Sequence, residues 1–466
     1  MSSALFPAAA ARRVEDDRLT AILAAADARV RQAGVAPDLD LADFRSELAG
    51  FDFAVPRPLS ELSDWAIAQL EHGATHMTHP RYLGLFNPAP SFPAQCADRI
   101  IATFNPQLAS ATTSPAAVAI EAHVVQAIAR RAGMRAGAGG HFTSGGSEAN
   151  GTALICALSR AEPAFADIGS RAFSGQPTFY ISADSHLAWI KLAHMAGIGR
   201  NGARLVRTEA DGSMSVSSLS QMMADDRRDG CRPVMVVATA GTTNAGAVDP
   251  VDACRAAADA HGAWCHVDAA WGGAAIASER MASLLGEIGR ADSITIDAHK
   301  WFATTMGCGM ILVAEPAILA ATFDVRTSFM TSHEPLVDPY LTTTQWSRRF
   351  VGLRLFHALG AAGWPGYAAH VERAAELARH LAATMTTRRW TVPNDPALAV
   401  VCLIPPAGSL PVKTIVARVV SSGAAWVSVG RFAGQDVIRA CITNGETSEA
   451  DIEVTAQALE AAAIPK

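Results

Sequence analysis

Four short apolar runs are spaced through the middle of the chain: Phe179-Tyr180-Ile181, Val234-Met235-Val236-Val237, Trp264-Cys265-His266-Val267 and Ile294-Thr295-Ile296. Runs this short, apolar on both sides and rich in β-branched and aromatic residues, read as strands buried on both faces. The alanine-rich segments between several of them read as helices. A mostly parallel sheet covered by helices on both faces accommodates that alternation, so the fold class is α/β. Length agrees: 466 residues, half of them hydrophobic and only 18% charged, provide a large core and two or three substructures.

The flanks differ from the middle. Leu19, Ile22, Leu23 and Val30 recur on one side of a helix from Glu15 to Gln32, and a second helix starts near Ser60 after Val55-Pro56-Arg57-Pro58. Residues 1–75 are therefore read as a helical arm, too small and amphipathic to hold a core alone and suited to packing on a partner subunit. Residues 76–345 form the large domain, ending in a long loop from Glu334 to Thr344. Residues 346–466 mix a helical stretch, Arg349 to Thr386 with a break between Gly360 and Gly366, with strands at Leu398–Ile404, Trp426–Val429 and Val437–Ile442. They read as a smaller α+β domain.

A net charge of −6 without a basic stripe argues against nucleic acid as a partner. No apolar run is long enough to span a membrane. Arg12-Arg13 is followed by Val14-Glu15-Asp16-Asp17-Arg18 rather than an apolar stretch, so a charged helix is read there and not a signal. Eight scattered cysteines with no C-x-x-C pair fit reduced core residues of a cytoplasmic protein.

Chemistry gathers where the apolar runs end. Lys300 stands in Asp297-Ala298-His299-Lys300-Trp301, just after Ile296. A lysine amine becomes a useful nucleophile when it is held against a carbonyl, as in Schiff-base chemistry. Asp268, at the end of Trp264–Val267, is costly to bury unless paired with a cation. Thr143-Ser144-Gly145-Gly146-Ser147-Glu148-Ala149-Asn150 opens a helix and offers free N–H groups to a phosphate. Its other reading is a capping box with Thr143 or Ser147 as cap. His186 and the segment Ala240-Gly241-Thr242-Thr243 each follow a strand. A phosphate cradle, a buried carboxylate, a stacking imidazole and a Schiff-base lysine together match what pyridoxal 5′-phosphate requires. In that reading Asp268 pairs with the ring nitrogen, His186 stacks on the ring and Lys300 holds the aldehyde.

These segments, with Thr113-Ser114-Pro115, Glu121 and Arg348-Arg349-Phe350, resemble the pyridoxal-phosphate-dependent amino-acid decarboxylases, the aromatic-amino-acid, glutamate and diaminobutyrate enzymes among them. The resemblance runs from about Thr78 to Thr447. It implies an aspartate-aminotransferase-like fold and a homodimer with sites at the subunit interface. The implied reaction is decarboxylation of an L-amino acid to the amine and CO2, with an aminotransferase or carbon–carbon lyase as the alternative on the same fold. By the same resemblance Gly145, Gly146 and Ser147 hold the phosphate with His299 nearby. Thr243 lies by the ring hydroxyl, Ala270 beneath the ring, and Arg439 receives the substrate carboxylate. Tyr340 corresponds to a loop tyrosine proton donor, with Cα protonated by Tyr340, His186 or Lys300; a plain loop anchor after Pro339 is its other reading. Relatives that release an aldehyde lose the loop tyrosine or the ring histidine, so the presence of both favours simple decarboxylation.

Two departures stand out. Position 297 is Asp where aromatic-amino-acid enzymes carry Asn, and a carboxylate repels a phosphate, so Asp297 is expected to face an N–H group or a cation. Phe86 keeps its place in the substrate strip, but Ala109 and Ala111 replace bulky aromatics. That leans toward a polar substrate side chain, met by Gln107 or Asn87. No metal is expected: His72, His76 and His79 lack an accompanying carboxylate, and Cys254, His261, Cys265 and His266 read as core. Asp225-Asp226-Arg227-Arg228-Asp229 reads as a solvated turn.

Overall fold

The computed structural model describes residues 4–36, 39–325 and 337–465. Among these residues seven strands form one sheet: β1 (Gly139–Thr143), β2 (Pro177–Ser182), β3 (Ala203–Val206), β4 (Arg232–Thr239), β5 (Trp264–Asp268), β6 (Ser293–Asp297) and β7 (Gly309–Val313). Their order is β1-β7-β6-β5-β4-β2-β3. All neighbours are parallel except those of β7, which is antiparallel to both β1 and β6. The four apolar runs are β2, β4, β5 and β6, and every residue of β2, β5 and β6 is buried. β1 was not read as a strand because Gly-Gly-His-Phe-Thr has no apolar run; its partner β7 provides the apolar side of the pair.

The direction of the strands places the chemistry. β2, β4, β5 and β6 run the same way, and β1 joins them because it and β6 both oppose β7. Their carboxyl ends deliver Ser182, Thr239, Asp268, Asp297 and Thr143 to one edge, the usual place for a ligand in an open α/β sheet.

The N-terminal arm holds three helices among the described residues: α1 (Ala9–Gln32), α2 (Leu41–Ala49) and α3 (Leu59–Gly73). The sequence reading lacked α2, which starts where the Asp40 carboxylate accepts from the N–H groups of Ala42 and Asp43. Arg18–Asp64 (2.8 Å) and Arg29–Glu71 (2.6 Å) tie α1 to α3. α4 (Phe92–Phe104) and α5 (Pro115–Arg131) follow, and α6 (Gly146–Ala161) leaves β1.

The chain-terminal part carries β8 (Val400–Leu403), β9 (Ser428–Phe432) and β10 (Gln435–Cys441) in an antiparallel sheet with β10 central. A strip from the large region runs along it. Leu83 N–H donates to Trp426 O and Cys441 N–H to Leu83 O, which carries Gly84 and Phe86 to the seam between the two sheets. The expected break between Gly360 and Gly366 is present: within Gly352–Thr387 two helices meet at a kink where Gly363 is non-helical (φ +62°). Of the loop expected from Glu334 to Thr344, residues 334–336 lie outside the described residues; Pro339–Leu341 form a single 3₁₀ turn. Asp226 is not solvated. It is buried in the helix Val216–Arg228, accepts from Tyr180 Oη at 2.7 Å and is clamped by Arg204. A tyrosine two strands away in sequence made that partner invisible to a local reading.

Candidate active site

A cavity of about 270 Å³ opens at the carboxyl ends of the parallel strands. Gly145, Gly146, Ser147, His186, Thr243, Asp268, Ala270, His299, Lys300 and Phe86 all line it, along with Asn150, Trp271 and Asp297. Arg439 and Tyr340 are absent from the wall.

The cradle is built of backbone. The N-cap of α6 is Gly145, with no side-chain cap, so the capping-box reading of Thr143 or Ser147 does not hold. The amides of Gly146 and Ser147, which open the helix, are left to an external anion, while those of Glu148 and Ala149 donate to Gly145 O. Ser144 N–H and Oγ instead donate to Glu148 (2.8 and 2.6 Å), which also accepts from Gln345 Nε2. Space is kept by glycine. A Cβ on Gly309 would lie 2.6 Å from Gly145 Cα, and one on Gly146 would lie 3.3 Å from Ala270 Cβ. After β4, Gly241 has φ +102°, and a side chain there would meet Trp271 Cδ1 at 2.9 Å.

Asp268 is 5% exposed and held from several directions. Oδ2 accepts from Asn150 Nδ2 at 2.8 Å and from Trp189 Nε1 at 3.2 Å, and Oδ1 from Ala270 N–H at 3.2 Å. Asn150 is four residues past Gly146 on α6, so one face of that helix serves both the cradle and the carboxylate. Behind it runs a chain with a fixed direction. Trp264 Nε1 donates to Ser293 Oγ (2.7 Å), which stands 2.7 Å from His266 Nδ1, while His266 Nε2 stands 3.1 Å from Asn150 Oδ1. An indole can only donate and a carboxylate can only accept. The hydroxyl therefore donates to Nδ1, and Nε2–H donates to the asparagine carbonyl. Burial pushes the His266 imidazole down to about 4, so it is neutral as this order requires. Asn150 and Trp189, both bonded to Asp268, were not singled out by the sequence reading, although Asn150 closes the segment that supplied the cradle.

Lys300 Nζ lies 3.1 Å from Asp297 Oδ2, so the expected cation partner of Asp297 is Lys300 itself. His299 Nδ1 is engaged by the backbone of Cys308, 3.2 Å from its N–H, and burial lowers the pKa of this imidazole. His186 is exposed at the cavity mouth. The surrounding walls still desolvate its ring and lower its pKa, against the opposing pull of Asp268.

Phe86 stacks on Trp271 (centroids 4.0 Å apart) and Trp271 on Trp301 (4.7 Å). Arg439, 3% exposed, lies over the other side of Phe86 with Cζ 4.5 Å from the ring. It donates to Thr243 O, Gly84 O and Ser428 Oγ, while Nη2 is buried without a hydrogen-bond partner. Tyr340 is buried against Trp346 (4.9 Å), its N–H on Ala109 O. Gln107 is taken up by Ser347 Oγ at 2.7 Å.

His72 Nδ1, both ring nitrogens of His76 and His79 Nδ1 bond backbone groups, His79 Nε2 is buried without a partner, and no cluster of His, Cys, Asp or Glu able to hold a metal occurs among the described residues. Cys254, Cys265 and His266 are buried in the core. No helix of the described residues is long and apolar enough to cross a membrane.

Residues 56–404 match the pyridoxal-dependent decarboxylase conserved domain. An acidic amino acid decarboxylase of Mus musculus is 30% identical over 346 residues, 72% of this chain and 62% of that protein. An L-2,4-diaminobutyrate decarboxylase of Rhizobium meliloti is 32% identical over 339 residues, 71% of this chain and 66% of that protein. The chain thus spans just under two thirds of the length of these relatives. Among solved structures, tryptophan decarboxylase of Catharanthus roseus in complex with L-tryptophan superposes with a TM-score of 0.89 at 24% identity, covering 98% of each chain. The fold is the aspartate-aminotransferase-like one that the sequence implied.

Proposed function

The chain belongs to the pyridoxal-dependent decarboxylases, and on that premise we propose that it removes the α-carboxylate of an L-amino acid as CO2 and releases the amine. The observation that carries this reading is the joint placement of Lys300, Asp268 and the Gly145–Ser147 cradle on one cavity. The residues fit the cofactor. A buried carboxylate aimed at the cavity suits a protonated ring nitrogen, glycines leave room for a phosphate, and the cavity amine suits an aldehyde. When bound, pyridoxal 5′-phosphate supplies an electron-withdrawing ring that stabilises charge left at Cα.

The work of the chain's own residues follows. Gly145, Gly146 and Ser147, with His299, would hold the phosphate, and Thr243, Ala270 and His186 would line the ring. Asp268, which accepts from three donors, would face the ring nitrogen. Lys300 would supply the amine that holds the cofactor aldehyde. Arg439 would receive the substrate carboxylate; its buried, unpartnered Nη2 supports that role. His186 or Lys300 returns a proton to Cα.

A second outcome is favoured by one observation. Tyr340 is packed on Trp346 and Ala109 and does not line the cavity, so a loop tyrosine donor is lacking within this chain's own site. Slow protonation of Cα would let oxygen compete and release an aldehyde. Incubating the holoenzyme with the common L-amino acids, 2,4-diaminobutyrate and cysteine sulfinate, and measuring CO2, amine, keto acid and oxygen uptake, separates these cases. CO2 with equimolar amine supports the main reading; keto acid without CO2 rejects it; CO2 with oxygen consumption supports the second.

The active unit is a homodimer. Phe92 and Phe104 on α4 are 74% and 78% exposed, and Val14, Leu59 and Leu70 leave apolar surface on the N-terminal arm uncovered. Paired chains would bury these surfaces; a monomer in sedimentation at working concentration would reject this. The free cysteines suit a reducing compartment, and we assign the enzyme to the cytoplasm on that ground.

A further inference from the structure

Arg439, Phe86, Trp271 and Trp301 come from distant parts of the chain and lie face to face beside the cavity. Trp301, the residue after Lys300, stacks on Trp271 with centroids 4.7 Å apart and planes at 4°. Trp271 stacks on Phe86 at 4.0 Å and 15°, and the Arg439 guanidinium lies over Phe86 with Cζ 4.5 Å from the ring centre. The column thus starts one residue from the lysine and ends on the arginine. Lys300 Nζ is itself 5.7 Å from the Phe86 centre, so both basic groups are referred to one ring.

Packing alone does not account for an indole at position 301. Trp271 Nε1 donates to Leu398 O at 3.1 Å, but Trp301, 0% exposed, has its Nε1 buried without a hydrogen-bond partner. An unmatched buried donor is costly, and a phenylalanine in the same place would avoid it. What the indole adds is a wide flat face. The main chain beneath it is clamped as well. On the helical segment Gly352–Thr387, His370 Nε2 donates to Trp301 O at 3.1 Å and Tyr367 Oη to Phe302 O at 3.0 Å. At the far end Arg439 donates to Thr243 O, Gly84 O and Ser428 Oγ. With both ends anchored, the rings between them form a spacer of fixed length.

We propose that Trp301 and Trp271 are positioning residues: through Phe86 they hold the Arg439 guanidinium at a set place relative to Lys300, so that an amino acid spans the two from amine to carboxylate. This rests on the reading of Lys300 and Arg439 given above. A guanidinium stacked on a ring keeps its plane, and its free Nη2 is the group left for a carboxylate. If Phe86 lost its backing, the guanidinium could tilt and the carboxylate would lose its bond. The amine end, held through Lys300, would be unaffected. The column therefore acts on one end of the substrate only.

The test is calorimetric binding of two stable probes to cofactor-free protein: N-(5′-phosphopyridoxyl)glycine and N-(5′-phosphopyridoxyl)methylamine. They differ only by the carboxylate, so the ratio of their Kd values reports its recognition without any reaction. The wild type is expected to favour the glycine probe by about tenfold or more. W301L should lower that preference about tenfold, the worth of one aromatic pair, while its Kd for the methylamine probe stays that of the wild type. W301F, which restores a face, should keep the preference within about threefold of the wild type. R439Q should abolish it, and W301L added to R439Q should change it no further, because the two act in series. Equal weakening of both probes by W301L, weakening of neither, or a further loss in the double variant overturns the proposal alone. Equal binding of both probes by the wild type overturns the Arg439 reading with it, and binding of neither overturns the cofactor reading as well. W301M, which fills space without a flat face, serves in place of W301L if the latter does not fold.

Discussion

Replacing Asn150 by Ala cuts the relay at its middle. The change removes the 2.8 Å bond to Asp268 Oδ2 and strands the His266 Nε2–H that pointed at the asparagine carbonyl. A hydrogen bond to a charged group contributes ~1.5–3 kcal/mol, and a buried donor left unsatisfied costs ~1–3 kcal/mol. Part is recovered, since Trp189 Nε1 still reaches Oδ2 at 3.2 Å and Thr295 Oγ1 lies 3.4 Å from Nε2. The expected loss is therefore near the lower end of the sum, about 3 kcal/mol in urea unfolding of the cofactor-free protein. Because the carboxylate loses one of its orienting donors, cofactor affinity should also fall about tenfold, ~1.4 kcal/mol. Adding His266→Leu to N150A should cost less than His266→Leu alone, because the two share one network. Unchanged cofactor affinity, with additive losses in the double variant, would refute the reasoning.

Acid should unfold the protein early. Burial pushes His79, His141 and His266 each down to about 4, so in the folded state they stay neutral where the unfolded chain binds protons. Their stabilisation is complete above about pH 6.5 and is lost as pH falls toward 4. Asp249, pushed up to about 7 by burial, works in the opposite sense over much of that window and offsets one of them. The net slope is roughly 3 kcal/mol per pH unit, to be read from urea midpoints between pH 6.5 and 4.5. His141→Phe should flatten it. Arg439→Lys loses the planar fork and should raise KM for the amino acid about ten- to a hundredfold, ~1.5–3 kcal/mol, with a smaller change in kcat. Asp268→Asn removes the charge facing the ring nitrogen and should lower kcat by about a hundredfold or more while leaving Lys300 able to be labelled by the cofactor.

Much of the site was legible because its parts sit next to recognisable punctuation. Asp268 and Asp297 end apolar strands, Gly145-Gly146 opens a helix, and Lys300 follows within three residues of Asp297. The sheet's register then brings those ends together with no further information. What was not legible depends on partners distant in sequence. Asn150 reaches Asp268 only because β5 lies beside α6, and Asp226 is buried only because Tyr180 and Arg204 reach it. β1, α2 and the joining strip at Leu83 lack a periodic apolar signal and are fixed by neighbours. The environment of Asp297, a puzzle as a lone carboxylate near a phosphate site, became readable once Lys300 was seen 3.1 Å away.

The central claim is that Lys300 is the amine that binds the cofactor in a decarboxylase site. The chain has four lysines, Lys191, Lys300, Lys413 and Lys466, so borohydride reduction of the cofactor-loaded protein followed by peptide mass mapping has little background. The label should fall on Lys300 at close to one per chain and be removed beforehand by the amino acid that the enzyme decarboxylates. Stoichiometric labelling at Lys191 or Lys413 with Lys300 unmodified would contradict the account.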